Sequence, residues 1–384
     1  MRINLLKFEN KVRAWTLETL ALNELTLLVG ASGVGKTQIL KAILALKDIN
    51  LGKSINGAKW YVDFQTTDQH YIWEGQFESI ENAVFWGGES TFQPKAKILY
   101  EKLFCNDKLI VERDADHILF LGKSTIKLSP FESVLSLLDA ENLIAPAHAG
   151  LNQIVWSDQA NAAQAAEIFT LPLLAVQKIV KQYDTYSKIQ LSDLNTILKL
   201  FLISKVSKKT DKKWFQLIKT RFMDIFPQVE DLKIAPLEYT PDMPDFLKEY
   251  PFIQIKEIGV EKWISQPFMS SGMYRTLLQI SELYLSSEGT VFLIDEFENS
   301  LGINCINELT SAIQTTQRKL QFILTSHHPY IINNIPFEHW KLVTRQAGVV
   351  KTHPATDFHL GNSKHEAFMQ LIQLDEYKTG REDS

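Results

Sequence analysis

The sequence predicts an α/β protein organised around a phosphate-binding loop at residues 30–37. This loop matches the pattern G-x-x-x-x-G-K-[ST] at every specified position. Residues 25–29 are a short apolar run typical of a buried strand, and residues 38–46 repeat apolar side chains at helical spacing. In a strand, glycine-rich loop and helix, backbone N–H groups and the helix N-terminus face a polyphosphate. The alternative is a Gly/Ser-rich turn that contains a lysine by chance.

The motif gives a role to each kind of residue in the loop. Glycines let the backbone curl close to the phosphates without a clash from a Cβ atom. Lys36 is expected to reach the β- and γ-phosphates of a nucleoside triphosphate, and the Thr37 hydroxyl is expected to bind Mg²⁺. The residues predicted to surround the nucleotide are Gly30, Ala31, Ser32, Gly33, Val34, Gly35, Lys36, Thr37 and Gln38.

Composition narrows the class of protein. The 384 residues are 45% hydrophobic and 22% charged, which is ordinary for a soluble globular chain. The net charge of −5 gives no overall basic field that would attract nucleic acid. No apolar stretch reaches the roughly 18 residues that a membrane-spanning helix needs. The two cysteines stand in no metal-ligand spacing and indicate no disulfide scaffold, so a reducing cytoplasm is expected.

Three regions are expected along the chain. Residues 1–128 are predicted to hold the phosphate loop and, from about residue 55, an antiparallel β subdomain. Residues 129–250 are predicted to form an inserted helical subdomain, because residues from about 129 to 225 contain apolar side chains at helical spacing. Residues 251–384 are predicted to supply the second half of the head and of its site. The resulting fold is a mixed sheet, an antiparallel β subdomain and a helical insert.

Two adjacent carboxylates end an apolar strand at residues 289–296. Asp295 is predicted to hold Mg²⁺ beside Thr37. Glu296 is predicted to polarise the water that attacks the γ-phosphate. Alternation of side chains along a strand would point the two carboxylates in different directions. The alternative is a simple strand-to-loop transition.

Two further segments could face a nucleotide. Ser270 and Gly272 open a helix and form a second cradle for an anion. His327 ends a buried strand, where it can hydrogen-bond the γ-phosphate or the attacking water, and His328 is the second candidate. The alternatives are an ordinary capped helix and a polar strand end.

These motifs in this order resemble the head of ABC-type ATPases, in the branch that includes RecF-like, SMC-like and OLD-like proteins. The resemblance covers about residues 1–50 and 265–375. It implies a P-loop NTPase fold and ATP hydrolysis, with Lys36, Glu296 and His327 as catalytic residues. It also implies a homodimer or higher homo-oligomer, in which two copies enclose two nucleotides.

The resemblance assigns the dimer-interface residues as well. Ser270 and Gly272 would touch the γ-phosphate held by the other subunit, and residues 298–302 would lie along the interface. The signature departs from the family's Leu-Ser-Gly-Gly-Gln, because residues 269–273 read Met-Ser-Ser-Gly-Met. Gln65 is a candidate for the glutamine that follows an early strand, and a plain surface glutamine is the alternative.

Two outputs are compatible with such a head. The first is a DNA-associated ATPase that grips DNA on closure. The second is a nucleotide-gated sensor or scaffold that controls a separately encoded effector, for example in anti-phage defence. No long coiled-coil arm is predicted, and the part after His327 is shorter than a nuclease domain. Analogy with nuclease-free OLD-like heads favours the second. A local basic cluster could still bind the phosphate backbone of a nucleic acid, although the solvated end of a helix is the alternative. Its residues are Lys205, Lys208, Lys209, Lys212 and Lys213, beside Trp214 and Phe215.

Overall fold

The structure, a computed structural model, describes residues 1–80, 95–157, 173–237, 251–299, 301–358, 360–361 and 363–381. The chain divides into two compact units. The first unit comprises Met1–Trp156, Glu288–Phe297 and Arg318–Ser384, and the second comprises Ser157–Ser287 and Glu298–Gln317. This division differs from the predicted boundaries at residues 128 and 250, because the segment before residue 157 supplies a strand to the first unit's sheet.

The strands and helices are numbered in chain order over the described residues. The strands are β1 (Arg2–Asn10), β2 (Trp15–Ala21), β3 (Leu25–Val29), β4 (Ala58–Gln65), β5 (His70–Phe77), β6 (Ile98–Cys105), β7 (Lys108–Arg113), β8 (Ile118–Phe120), β9 (Lys123–Ser124), β10 (Ile154–Trp156), β11 (Val229–Ala235), β12 (Phe252–Glu257), β13 (Ile264–Ser265), β14 (Val291–Ile294), β15 (Gln321–Thr325), β16 (Trp340–Gln346) and β17 (Val349–Pro354). The helices are α1 (Lys36–Asn50), α2 (Val134–Leu137), α3 (Ala145–Asn152), α4 (Leu173–Gln182), α5 (Tyr186–Gln190), α6 (Thr196–Lys205), α7 (Lys209–Ile225), α8 (Ser271–Leu285), α9 (Ile303–Thr315), α10 (Pro329–Asn334), α11 (Lys364–Leu371) and α12 (Asp375–Thr379).

One mixed sheet of 14 strands organises the first unit, in the order β10-β14-β15-β3-β16-β17-β2-β1-β4-β5-β6-β7-β8-β9. The strands from β10 to β16 in this order are parallel. Every residue of β3, β14 and β15 is buried, as expected for parallel strands covered on both faces. Since these strands run the same way, their carboxyl ends meet at one edge of the sheet, which is where the loop begins.

The antiparallel part of this sheet has an aromatic core. Burial alternates along β5, so that one face packs inward and the other faces outward. The Trp60 ring meets Trp73 edge-on at 5.2 Å between centroids and lies 5.4 Å from Phe77. Together with the parallel strands, this region confirms the predicted α/β class with a mixed sheet and an antiparallel β region.

The second unit combines helices with a small sheet, β11-β12-β13. Within it, Glu282 of α8 is partly buried and accepts hydrogen bonds from the hydroxyls of Ser157 and Thr196. Burial raises the pKa of Glu282 to about 7, although these hydrogen bonds and the charges of Arg275 and Lys199 act in the opposite direction. This carboxyl group therefore titrates near neutral pH in the folded protein.

Candidate functional site

The loop at residues 30–37 joins the last residue of β3 to the first residue of α1. Gly30, Gly33 and Gly35 have φ values of 141°, 83° and 106°, which residues other than glycine rarely adopt. At Gly30, a Cβ atom would also lie 2.6 Å from the carbonyl oxygen of Val343. The glycines of the motif are thus required by the backbone path as well as by the space that a ligand needs.

Lys36 lies inside the curve of the loop. Its Nζ donates hydrogen bonds to the carbonyl oxygens of Gly30 at 2.9 Å and Ala31 at 2.8 Å, and the residue is only 6% exposed. The first turn of the 15-residue helix α1 contains no acidic residue. An ammonium group at the positive end of a helix makes this location strongly attractive to an anion.

Three side chains connect the loop to the ends of β14 and β15. The Thr37 hydroxyl donates to Asp295 Oδ1 at 3.1 Å, and the buried Thr325 hydroxyl donates to the same oxygen at 2.6 Å. A hydroxyl and a carboxylate are hard oxygen ligands of the kind that Mg²⁺ prefers. Thr37 and Asp295 therefore fit the predicted magnesium site, and Thr325 fixes the orientation of the carboxylate.

Glu296 leaves the strand in a left-handed conformation. Strand β14 ends at Ile294, and Glu296 has a φ of 45°. Its backbone N–H donates to Thr325 Oγ1 at 2.8 Å, while its side chain is exposed and that of Asp295 is partly buried. Both residues follow the end of β14, so the alternation of side chains along a strand, from which their different directions were expected, does not apply to them.

The two candidate histidines have different environments. His327 is exposed directly after the buried Thr325 and Ser326. His328 is the N-cap of α10, where its Nδ1 accepts a hydrogen bond from the backbone N–H of Tyr330 at 3.2 Å. One ring nitrogen of His328 is engaged in capping, and His327 is the more exposed of the two histidines.

Ser270 and Gly272 lie in the second unit, at the start of α8. The Ser270 hydroxyl accepts a hydrogen bond from the N–H of Met273 at 3.2 Å and caps this 15-residue helix. Ser270 and Ser271 are exposed, and Gly272 is partly buried in the first turn. Ser270 therefore acts as an ordinary N-cap, and the N-terminus of α8 stays accessible to an anion.

The remaining candidates are placed as follows. Gln38 is exposed in the first turn of α1, and Gln65 is exposed at the last residue of β4, away from the carboxyl ends of the parallel strands in the sheet order. In the segment 298–302, the N–H of Leu301 donates to the carbonyl oxygen of Glu298 at 3.0 Å, and residue 300 lies outside the described residues.

Thr325 is the functional residue that sequence reasoning missed. It is the one residue of the loop–carboxylate junction to which no role was assigned, although it ends a buried strand and directly follows three apolar residues. A hydroxyl at the end of such a strand signals a buried hydrogen-bond partner, because an unpaired hydroxyl there would be destabilising. The signal therefore existed, but only the fold identifies Asp295 and Glu296 as its partners.

The described residues contain neither a cluster of metal ligands nor a membrane-spanning helix. No group of three or more histidine, cysteine, aspartate or glutamate side chains is arranged to hold a metal ion there. None of the helices described has both the length and the apolar character needed to cross a bilayer.

The loop, its lysine and the hydroxyl–carboxylate junction have the arrangement that is typical of a P-loop nucleotide-binding site. A family model described as "AAA domain, putative AbiEii toxin, Type IV TA system" matches residues 241–333. That range includes the Ser270 segment, the Asp295–Glu296 pair and His327. Together with the loop and its strand, this match supports an ABC-type ATPase head of the SMC, RecF and OLD-like kind.

Solved structures with similarity to the chain include SMC heads. An SMC head bound to the C-winged helix domain of ScpA is 15% identical, covers 92% of this chain and 98% of that chain, and has a TM-score of 0.45. The SMC head domain from Thermotoga maritima is 14% identical, covers 92% and 99%, and has a TM-score of 0.43. An SMC head domain with an extended coiled coil, bound to the C-terminal domain of ScpA derived from Pyrococcus furiosus, is 13% identical, covers 97% and 100%, and has a TM-score of 0.44. No protein of curated function matches the sequence significantly.

Proposed function

We propose that the chain binds ATP with Mg²⁺ and hydrolyses it, and that two copies close around the nucleotides. The observation that carries the proposal is the junction in which Thr37 and Thr325 both donate to Asp295 Oδ1. It joins the phosphate loop to the carboxylate pair in the arrangement that a magnesium-dependent phosphoryl transfer needs. Mg²⁺ would neutralise phosphate charge and orient the γ-phosphate.

Each of the proposed site residues in the first unit then has a role in binding or hydrolysis. Lys36 binds the β- and γ-phosphates, and Thr37 and Asp295 hold the metal. Glu296 accepts the proton of the attacking water or orients it, because its side chain is exposed next to the metal-binding carboxylate. His327 donates a hydrogen bond to the γ-phosphate or to that water.

The second unit supplies the proposed contact with the other copy. Ser270 and Gly272 bind the γ-phosphate held by the partner, using the exposed N-terminus of α8. Phe268, directly before this segment, is 82% exposed, and Ile303 at the start of α9 is 61% exposed. Apolar side chains this exposed are suited to be covered by another protein surface. Closure is the output, and hydrolysis resets the head.

The mass of a Glu296→Gln variant in solution tests this proposal. With ATP and Mg²⁺ the variant should bind nucleotide without hydrolysing it, and its mass should double. Glu18→Gln is a matched control, because it makes the same chemical change on an exposed glutamate of β2. Lys36→Ala should not bind nucleotide. A Glu296→Gln variant that hydrolyses ATP at the normal rate would show that another group is the base, and a monomer throughout would refute the closure.

We propose further that closure controls a separately encoded effector, in a system such as anti-phage defence. The description of the matching family names a putative toxin of a type IV toxin–antitoxin system, which supports work alongside a second protein. Co-purification of a separately encoded protein, whose release or retention depends on ATP, would support control of an effector. An ATPase rate that responds to DNA and to no protein partner would contradict it.

The second candidate is an ATPase that grips DNA, and the basic cluster favours it. Lys208, Lys209, Lys212 and Lys213 are exposed at the start of α7. Trp214 is less available to stack on a base, because its ring already stacks on Tyr186 at 4.4 Å. Any nucleic-acid contact here would therefore be to phosphates.

Charge reversal separates the two outputs. A Lys212→Glu/Lys213→Glu variant should bind duplex DNA more weakly and with a smaller salt dependence if the cluster grips phosphates. Lys123→Glu/Lys127→Glu is the control, since both lysines are exposed in the first unit. Equal DNA binding by all three proteins, measured by fluorescence anisotropy, would exclude the cluster as a DNA site.

A further inference from the structure

An open cavity of about 540 Å³ lies beside the phosphate loop in the first unit. Three segments line it: loop residues 32–34, the turn at residues 345–348, and C-terminal residues 379–381. Cavities of roughly 300–1,000 Å³ are typical of sites for small molecules. The loop that we assign to the phosphates therefore borders a space large enough for the rest of a nucleotide.

The turn between β16 and β17 forms one wall of this cavity. Gln346 and Val349 are the last paired residues, which leaves Ala347 and Gly348 as a two-residue turn with φ values of 50° and 100°. A hairpin turn of this kind has positive φ at both central positions. The carbonyl oxygen of Gly348 accepts a hydrogen bond from the N–H of Thr16 at 3.0 Å. The wall is thus fixed to β2 through the backbone.

The C-terminal segment, residues 375–381, forms a second wall. Helix α12 ends at Thr379, and Gly380 adopts a left-handed φ of 70° as its C-cap. The carbonyl oxygen of Gly380 accepts a hydrogen bond from the N–H of Arg345 at 2.7 Å. A Cβ atom on Gly380 would collide with Val34 and would lie 3.3 Å from the Cβ of Ala31. The segment therefore packs directly against the phosphate loop, at a position that suits only glycine.

The described part of the cavity lining carries positive charge. Arg345 and Arg381 line the cavity, and no acidic residue is among the lining residues that the structure describes. Within the ranges that the structure covers, neither arginine forms an ion pair, in contrast to Arg113, which lies 3.6 Å from Glu101. A guanidinium group is planar, stacks on aromatic rings and donates up to five hydrogen bonds. Such groups suit a purine base or the hydroxyls of a ribose.

We propose that this cavity binds the nucleoside end of the nucleotide, and that Arg345 and Arg381 contact its base or ribose. The inference rests on the proposed function, because it requires that the phosphates lie in the loop at residues 30–37. The C-terminal segment is then a wall of the nucleotide site. Because the segment packs against the loop, this packing should strengthen nucleotide binding, and bound nucleotide should stabilise the packing by the same free energy.

Calorimetric titration with two ligands tests the inference: Mg²⁺ with the non-hydrolysable ATP analogue AMP-PNP, and Mg²⁺ with inorganic tripolyphosphate. Arg345→Ala and Arg381→Ala should each weaken AMP-PNP binding about tenfold and leave tripolyphosphate binding nearly unchanged. Arg345→Lys should not restore the affinity, because lysine keeps the charge and loses the planar group. Unchanged AMP-PNP binding, or an equal loss for both ligands, would overturn the inference. A wild-type protein that binds neither ligand would instead refute the proposed function.

A glycine pair tests the wall itself. Gly380→Ala should displace the C-terminal segment from Val34 and weaken AMP-PNP binding. Gly122→Ala is the matched control, because Gly122 has a similar φ of 76° and a Cβ atom there would meet nothing within 4 Å. Circular dichroism establishes that both variants fold. Equal AMP-PNP affinity of the two folded variants would show that the C-terminal segment is no part of the nucleotide site.

Discussion

Replacing Thr325 by valine should release Asp295 and the backbone of Glu296 from the end of β15. Valine has nearly the same shape as threonine, so the change removes a hydroxyl and leaves the packing of β15 in place. That hydroxyl donates to Asp295 Oδ1 at 2.6 Å and accepts from the N–H of Glu296 at 2.8 Å. Both contacts are lost together, because Thr325 is 1% exposed and water has little access to its place.

The expected loss follows from these two contacts. A hydrogen bond to a charged carboxylate contributes about 1.5–3 kcal/mol, and a neutral one contributes about 1 kcal/mol. The unfolding free energy should therefore fall by about 2–4 kcal/mol. Partners that orient a metal ligand typically change metal affinity or activity by about 10- to 100-fold. The magnesium concentration needed for half-maximal ATP hydrolysis should rise within that range.

Two assays and one control decide the outcome. Urea unfolding gives the stability change, and a magnesium titration of the ATPase rate gives the functional change. Thr310→Val is the control, because Thr310 is 4% exposed and its hydroxyl has no hydrogen-bond partner in the structure. That variant should be as stable as the wild type or more stable. If Thr325→Val behaves like Thr310→Val in both assays, the junction at Asp295 has no role in positioning.

Three further predictions concern pH, the loop and the histidines. Glu282 has a pKa of about 7 in the folded protein, above its usual value, so it binds its proton more tightly in the folded state. The stability of the protein should therefore fall as the pH rises from about 5 to about 7. The melting temperature of Glu282→Gln should fall less than that of the wild type over this range, and an equal fall would contradict the assignment. Gly30→Ala should abolish nucleotide binding, because its Cβ would lie 2.6 Å from the Val343 carbonyl oxygen; calorimetry that detects normal binding would refute this. His327→Ala should slow ATP hydrolysis. His328→Ala should lower the unfolding free energy by about 1 kcal/mol, because the helix cap is lost, and should leave the rate of hydrolysis unchanged. The opposite pattern would make His328 the catalytic histidine.

Local patterns predicted the backbone of the phosphate loop well, because the strand, loop and helix that form it are contiguous in sequence. Residues 25–46 form a strand, a loop and a helix whose geometry follows from three glycines with positive φ and from helical spacing. The apolar run before Asp295 is likewise buried throughout. Strand alternation does not account for the directions of Asp295 and Glu296, because both residues follow the end of β14 and Glu296 has a left-handed φ.

Long-range assembly could not be predicted in the same way. Residues 154–156 lie in a region of helical spacing, yet they pair with Val291–Leu293 and join the main sheet. Three residues carry too little periodicity to identify a strand, and their partner is far along the chain. The packing of Gly380 against Val34 is similar, because nothing around residue 380 indicates that the phosphate loop is its neighbour.

The sequence by itself determined the class of the fold, the loop that we assign to the phosphates and the residue types that we propose for magnesium and water. Those features depend on spacing within one strand, one turn or one helix, where neighbours in sequence are neighbours in space. Only the tertiary structure decided that Thr325 holds Asp295 and that Arg345 and Arg381 share a cavity with the loop. These contacts arise from the order of strands in the sheet, which brings together the ends of segments that are distant in the chain.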